Sequence, residues 1–320
     1  MGDTNEYRMT TIDSVLRRSL DDRSGDLILT LDPAFQGLPD TAHGGSVLAA
    51  FDTLAGLSMP RAVSGVYRKR VPLATPLRLA VGRDNGAHTF VLRDDGGILV
   101  NGRVAPLAPD ARDRGVPGPL GDPWLLRGGE RSAHETSATG AVAGVVSEGP
   151  RHATAPAHPL PVSRTCFACG VANELGLHAQ LEFDDAEVRG TWKPRAPFRT
   201  AGGTLTTAAL TTLCDETAFW IGALATGESG MTTDLAVTLH RAVPFDAALT
   251  VTGSRAVALP QADRRYWDTE VVARTEDRTL VASARITFAV VRGAARRLVR
   301  GMLAMNDPAV VARVFPAYAR

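Results

Sequence analysis

The residues best suited to chemistry are His43-Gly44-Gly45 and two acids, Asp52 and Asp215. The triplet precedes an apolar stretch with helical spacing, so Gly44 and Gly45 fall at a helix start. Backbone N–H groups there lack intrahelical partners and carry partial positive charge, which suits them to a developing oxyanion. Glycine also lets a carbonyl approach that backbone closely. A carboxylate supplies a general base or a nucleophile. His43 has two readings: it hydrogen-bonds a substrate carbonyl and tunes the acid, or it caps the loop before the helix. Asp52 has a structural alternative, a bond to the backbone of a neighbouring domain.

The phrase from Phe35 to Asp52 recurs from Phe198 to Asp215 at one offset, since 198−35, 206−43 and 215−52 all give 163. Both copies keep the phenylalanine, the acid and the apolar helix; only the first has His-Gly-Gly. A repeat of this length predicts two like domains packed together, with sites that are no longer equivalent. Gly44 and Asp52 stand about 12 Å apart along one helix, too far to act on one carbonyl. Two such helices packed antiparallel across a pseudo-twofold bring each helix start to the other's middle. Gly44 and Gly45 then work with Asp215, and Asp52 meets Thr206, Thr207 and Ala208. The second pairing lacks the imidazole and is crowded by Cβ atoms, so one working site is expected. Thr206 and Thr207 read most simply as helix caps. Glu216, turned about 100° from Asp215, is expected to face elsewhere.

Those residues need a frame. Thr10 to Leu20 reads as a short amphipathic helix, then Asp26 to Leu31 as a strand. A loop leads into a helix from Gly44 to Met59, followed by strands over Val63–Val71, Pro76–Arg83, His88–Leu92 and Ile98–Val104. The second unit shows strands over Leu177–Phe183 and Glu187–Lys193 and a helix over Thr206–Gly222. Strands then cover Asp234–Arg241, Ala248–Ala258, Trp267–Thr275 and Leu280–Val291. One long helix with an antiparallel set of strands is an α+β pattern, not a doubly wound one. The domain expectation is 1–104, a Pro/Gly/Ala-rich linker over 105–165 with partial disorder, a second domain over 166–305, and a 306–320 tail with a short helix. Pro123-Trp124-Leu125-Leu126 is a candidate anchor within the linker.

Hydrophobic content of 44% and a formal charge of +1 are ordinary for a globular protein and exclude a strong field for nucleic acid or anionic membrane. No apolar run reaches membrane-spanning length, and the N-terminus lacks a signal pattern. Cys166, Cys169 and Cys214 are too few for a disulfide scaffold, so a cytoplasmic setting is expected. Cys166-x-x-Cys169 resembles half a zinc site; with no second pair nearby in sequence, no metal is expected. Arg68-Lys69-Arg70 and His240-Arg241 could meet phosphates, although solvated strand ends are the simpler reading. Trp192, Trp220 and Trp267 are core or pocket wall.

On Phe35-x-Gly37-x₄-His43-Gly44-Gly45-x₆-Asp52, the chain resembles hotdog-fold acyl-thioester hydrolases of the phenylacetyl-CoA thioesterase type. The second unit matches a related phrase from Cys166 to Leu177, followed by Asp215-Glu216. The resemblance implies two hotdog units, each a sheet wrapped around a helix, fused as a pseudo-dimer. It implies catalytic roles for His43, Gly44, Gly45, Asp52 and Asp215, and substrate contacts for Phe35, Gly37, Thr206 and Thr207. Coenzyme A or phosphopantetheine would enter only as part of the substrate, with an acyl-CoA or acyl carrier protein as partner. A monomer with an internal pseudo-twofold, or a homodimer of it, is expected. Amine or water addition to an unsaturated acyl thioester, and non-catalytic thioester binding, are the alternatives.

Overall fold

A computed structural model describes residues 10–21, 27–108 and 156–319. Most of the expected linker, with the Trp124 anchor, lies outside them, as does Asp26. The N-terminal helix α1 (Ile12–Arg18) opens on a reciprocal cap between Thr11 and Ser14. The first half continues with β1 (Leu20–Asp21), β2 (Leu27–Leu29), the central helix α2 (Gly44–Ala55), β3 (Arg61–Tyr67), β4 (Leu77–Asp84), β5 (Ala87–Asp94) and β6 (Gly97–Pro106). The second half holds β7 (His158–Pro159), β8 (Glu182–Phe183), β9 (Glu187–Trp192), the long helix α3 (Thr207–Thr226), β10 (Gly230–Leu239), β11 (Leu249–Ser254), β12 (Leu259–Pro260), β13 (Tyr266–Thr275) and β14 (Leu280–Val290). Helices α4 (Ala295–Leu303) and α5 (Pro308–Val314) close the described chain.

All strands join one antiparallel sheet in the order β1-β2-β4-β5-β6-β3-β10-β14-β13-β11-β9-β8-β7, with β12 beside β13. The joint is β3 against β10, where Ser64 lies opposite Ala236. The α2 and α3 helices pack together and against the sheet, and both are buried on nearly every face. The entry to each helix repeats in backbone bonds. His43 N–H donates to the Phe35 carbonyl at 2.8 Å, as Thr206 N–H does to Phe198 at 2.9 Å. Ala42 N–H reaches the Val71 carbonyl, as Leu205 N–H reaches Val243. Phe35 and Phe198 each end a short 3-10 turn and are fully buried, on either side of Phe167.

Several boundaries differ from the sequence reading. α2 stops at Ala55, short of Met59, because Gly56 takes the left-handed conformation (φ 60°) and donates to the Asp52 carbonyl. α3 runs past Gly222 to Thr226. A Cβ at Gly222 would come 2.4 Å from Phe288, so this glycine admits a ring within the helix instead of ending it. The strand expected over Leu177–Phe183 is strand only at Glu182–Phe183. His178 has φ 54°, and the Leu177 and Ala179 amides pair with the Phe167 and Ala168 carbonyls of the cysteine loop. Residues 156–165, placed with the linker on sequence, contribute β7 and a bridge between Ser163 and Gly170. α4 has no counterpart in the sequence reading, and α5 fulfils the tail helix, with Phe315 packed near Trp220.

The α2–α3 crossing is close. A Cβ on Gly45 would stand 2.6 Å from backbone atoms of Thr211 and Thr212, and Thr211 Oγ1 donates to the Gly45 carbonyl at 2.8 Å. Gly45→Ala must therefore push two backbones apart. It is expected to lower stability by about 1–3 kcal/mol, measured by denaturant unfolding; an unchanged midpoint would show that the crossing relaxes freely.

Candidate functional site

The start of α2 is capped from the other half of the chain. Asp215, in the third turn of α3, places Oδ2 3.0 Å from the Gly45 amide and 3.1 Å from His43 Nδ1, while Oδ1 accepts from Thr232 Oγ1 at 2.6 Å. His43 Nδ1 also lies 3.3 Å from the Gly45 amide. With its proton directed at the carboxylate, Nδ1 cannot accept, so the amide's partner is Asp215. Gly44 has its own reason to lack a side chain: a Cβ there would sit 2.7 Å from Asp215 Oδ2. Among the described residues the Gly44 amide has no protein acceptor, and Gly44 lines the adjoining cavity. Tyr67 Oη donates to the Gly44 carbonyl at 2.6 Å, fixing that peptide.

Burial alone would depress the His43 pKa. The Asp215 charge and hydrogen bonds to Asp215 and Glu216 outweigh it, holding the imidazole protonated well above its ordinary range. Burial works against the Asp215 carboxylate as well, but the His43 charge and the His43, Thr232 and Gly45 donors keep it ionised below its usual value. Tyr67 is pushed up by burial and by the Asp215 charge, so it remains a neutral donor. Burial and Asp215 raise the neighbouring Cys214 thiol to about 12, making it an inert core residue.

Glu216 does not face elsewhere. Its Oε2 lies 3.4 Å from His43 Nε2 and its Oε1 accepts from Trp220 Nε1 at 2.9 Å. The imidazole is wedged against α3, so consecutive positions about 100° apart reach its two nitrogens. Cys166 and Cys169 line the same cavity. So do Lys69 and Arg70, which with Arg68 are exposed as the solvated strand-end reading expects; His240 is instead buried against Ser283. The cleft has a volume of about 820 Å³ counted to its open mouth. Phe219 and Trp220 of α3, Met231, and Leu298 and Met302 of α4 form its apolar wall.

Of the other sequence candidates, only Gly37 and Trp220 join this cleft. Asp52 is buried and clamped by Arg61, with Nε–Oδ1 2.5 Å and Nη2–Oδ2 2.6 Å, and the same guanidinium donates to Thr207 Oγ1 at 3.0 Å. The mirror position is thus filled by a side chain. Thr206 heads α3 but makes no side-chain cap; its hydroxyl donates to Asp13 of α1 at 2.5 Å. Phe35 lies in the core and acts only through its carbonyl bond to His43, whereas Gly37 lines the cavity, where a Cβ would stand 3.0 Å from His43 Cα. Trp220 is wall, and Trp192 is core, donating to the Leu177 carbonyl. Sequence reasoning missed Thr232, Tyr67 and Arg61. The Val-Pro phrases, offset by 172 (243−71), align Thr232 with Pro60, which signals that only the second half carries this hydroxyl.

No protein-family model matches the chain, and no curated protein does. Solved structures do. A protein from Alicyclobacillus acidocaldarius with a hot dog fold aligns over 88% of this chain and 98% of its own, at 15% identity and TM-score 0.53. The acyl-CoA thioesterase II TesB2 from Mycobacterium marinum aligns over 89% and 100%, at 13% identity and TM-score 0.50. A tesB protein from Mycobacterium avium subspecies paratuberculosis aligns over 88% and 98%, at 12% identity and TM-score 0.50. The chain therefore has the hotdog fold. No described helix is long and apolar enough to cross a membrane.

Asp52 and Asp215 occupy matching places with different surroundings, and substitution separates them. Asp52→Asn leaves Arg61 buried beside a neutral group and is expected to destabilise by about 3–5 kcal/mol in denaturant unfolding. A cost near zero would show that the pair is solvated and the mirror position open.

Proposed function

We propose that the chain is a tandem hotdog pseudo-dimer, with units 1–104 and 166–305, that hydrolyses an acyl thioester of coenzyme A or of an acyl carrier protein between its halves. Support for the pseudo-twofold comes from the β3–β10 joint. The 172 offset between the Val-Pro phrases also relates Ser64 to Ala236 (236−64), and these residues face each other, as self-equivalent positions on an axis must. The observation that carries the chemistry is the single cleft that brings the Gly44 amide, Asp215 and Thr232 to one end of an apolar wall, with Lys69 and Arg70 also on its lining. The acyl chain would lie against Phe219, Trp220 and Met302. The two cations suit the phosphates of coenzyme A or of a phosphopantetheine arm.

Both Asp215 oxygens already accept hydrogen bonds, which lowers their nucleophilicity and favours attack by water over a covalent acyl-enzyme. Water held by Asp215 and Thr232 forms the new C–O bond as its proton passes to the carboxylate. The Gly44 amide, at the positive end of α2, stabilises the oxyanion. Collapse breaks the C–S bond, and the proton moves from Asp215 to the departing sulfur, leaving acid and thiol. His43 keeps Asp215 ionised and aimed. The TesB2 neighbour is an acyl-CoA thioesterase, in keeping with this reading.

Free-thiol release from a panel of acyl-CoAs tests it. Asp215→Asn is expected to lower kcat by about 10²–10⁴, and Thr232→Val by about tenfold or more through loss of one charge-assisted hydrogen bond. Undiminished thiol release in Asp215→Asn would overturn the assignment. Loss of enone absorbance without thiol would mean conjugate addition, and neither signal would mean a binding protein.

A further inference from the structure

The sequence around Cys166-x-x-Cys169 offers half a metal site and no partner nearby. The fold brings one. His43, 123 residues upstream of Cys166 (166−43), and Glu216, 50 downstream (216−166), meet it in the cleft wall. One ligand atom each from His43, Cys166 and Glu216 lies within 4.8 Å of the others. Cys169, three positions on in the same loop, also lines the cleft. All four side chains are buried.

We propose that His43 Nε2, Cys166 Sγ and a Glu216 carboxylate oxygen form the preassembled part of a site for a soft divalent cation of the Zn²⁺ class, and that Cys169 Sγ closes it as the fourth ligand when the cation binds. The three preassembled ligands are already arranged for that role. His43 Nδ1 is committed to Asp215, which fixes the ring and leaves Nε2 directed at the cluster, as an orienting carboxylate does for a metal-bound histidine. Trp220 holds Glu216 Oε1, leaving Oε2 for the cation. The Ala168 amide donates to Cys166 Sγ at 3.3 Å, a bond that supports a thiolate. A Cβ at Gly170 would stand 2.2 Å from the Cys166 carbonyl oxygen, so the turn after the second cysteine admits glycine alone.

The spacing also admits a cation between His43 and Glu216. Bond lengths of about 2.0–2.3 Å in a tetrahedron put ligand atoms about 3.3–3.8 Å apart. The 3.4 Å between Nε2 and Oε2 fits that range. A direct imidazolium–carboxylate bond would be about 2.7–2.9 Å. The Nε2 proton therefore stands where the cation would. Four protein ligands close the coordination sphere, so the site is structural: it pins the cysteine loop of one half to the helix start of the other. Because its ligands lie on the far edge of the imidazole from Asp215, it does not depend on the hydrolysis reading.

The test is a Co²⁺ titration of the full-length protein, stripped by chelator and kept reduced, with thiols counted after denaturation. One equivalent is expected to give intense tetrahedral d–d bands and a thiolate-to-cobalt charge-transfer band. Cys166→Ser and Cys169→Ser should each diminish that band and weaken Zn²⁺ binding about tenfold or more. Glu216→Gln should weaken binding while keeping the band. Zn²⁺ should raise the Tm of wild type and not of Cys166→Ser. Reduced, folded wild type that takes up no Co²⁺, or takes it up without the sulfur band, overturns the proposal, as does unaltered affinity in the variants. Should the cysteine variants fail to fold, the wild-type spectrum and Glu216→Gln still decide.

Discussion

The structure turns on a carboxylate from one helix seated on the bare amides that start another. Asp215 is buried, and an isolated buried charge would be too costly to keep. It survives because His43 and Gly45 meet one oxygen and Thr232 the other. That requirement explains the neighbourhood. Gly44 must have no Cβ because Asp215 is there, and Gly45 must have none because the α3 backbone has to come close enough to deliver it. The glycines that suggested room for a substrate are first the condition for this helix crossing. Only the Gly44 amide is left for a ligand.

The two halves show how one backbone supports two outcomes. The turn before each helix, the phenylalanine that anchors it and the bonds to the Val-Pro connection are alike. What differs is the side chain that meets the acid. At Asp215 it is an imidazole with a cavity beyond; at Asp52 it is the Arg61 guanidinium, which fills the space and ties off Thr207. A buried bidentate pair is geometrically demanding and holds its acid fully engaged. Arg61 braces Asp52 to Thr207 across the halves, while the surroundings of Asp215 keep an opening.

Much of this was legible in the chain. A repeat at constant offset, with glycines at one helix start and an acid eight residues on in both copies, was enough to pair Gly44 and Gly45 with Asp215. Helix geometry alone excludes Asp52 from the same carbonyl. Glu216 was misjudged because a single-helix projection ignores how wide the opposing group is; an imidazole spans two neighbouring positions. Thr232 and Arg61 sit on strands whose register along α2 and α3 cannot be counted when the connections differ by nine residues (172−163). The cysteine pair looked isolated because its partners are distant in sequence. α4, whose Leu298 and Met302 complete the cleft, belongs to a segment read only as the end of a domain.

The bond on which the account rests is the one from His43 Nδ1 to Asp215, and it can be seen directly. Nitrogen-15 NMR of the histidine rings in full-length protein should show His43 Nδ1 protonated, with its proton far downfield and slow to exchange. That proton should shift upfield in Asp215→Asn. An Nδ1 without a proton, or one indifferent to residue 215, would mean that the acid and the helix start do not meet.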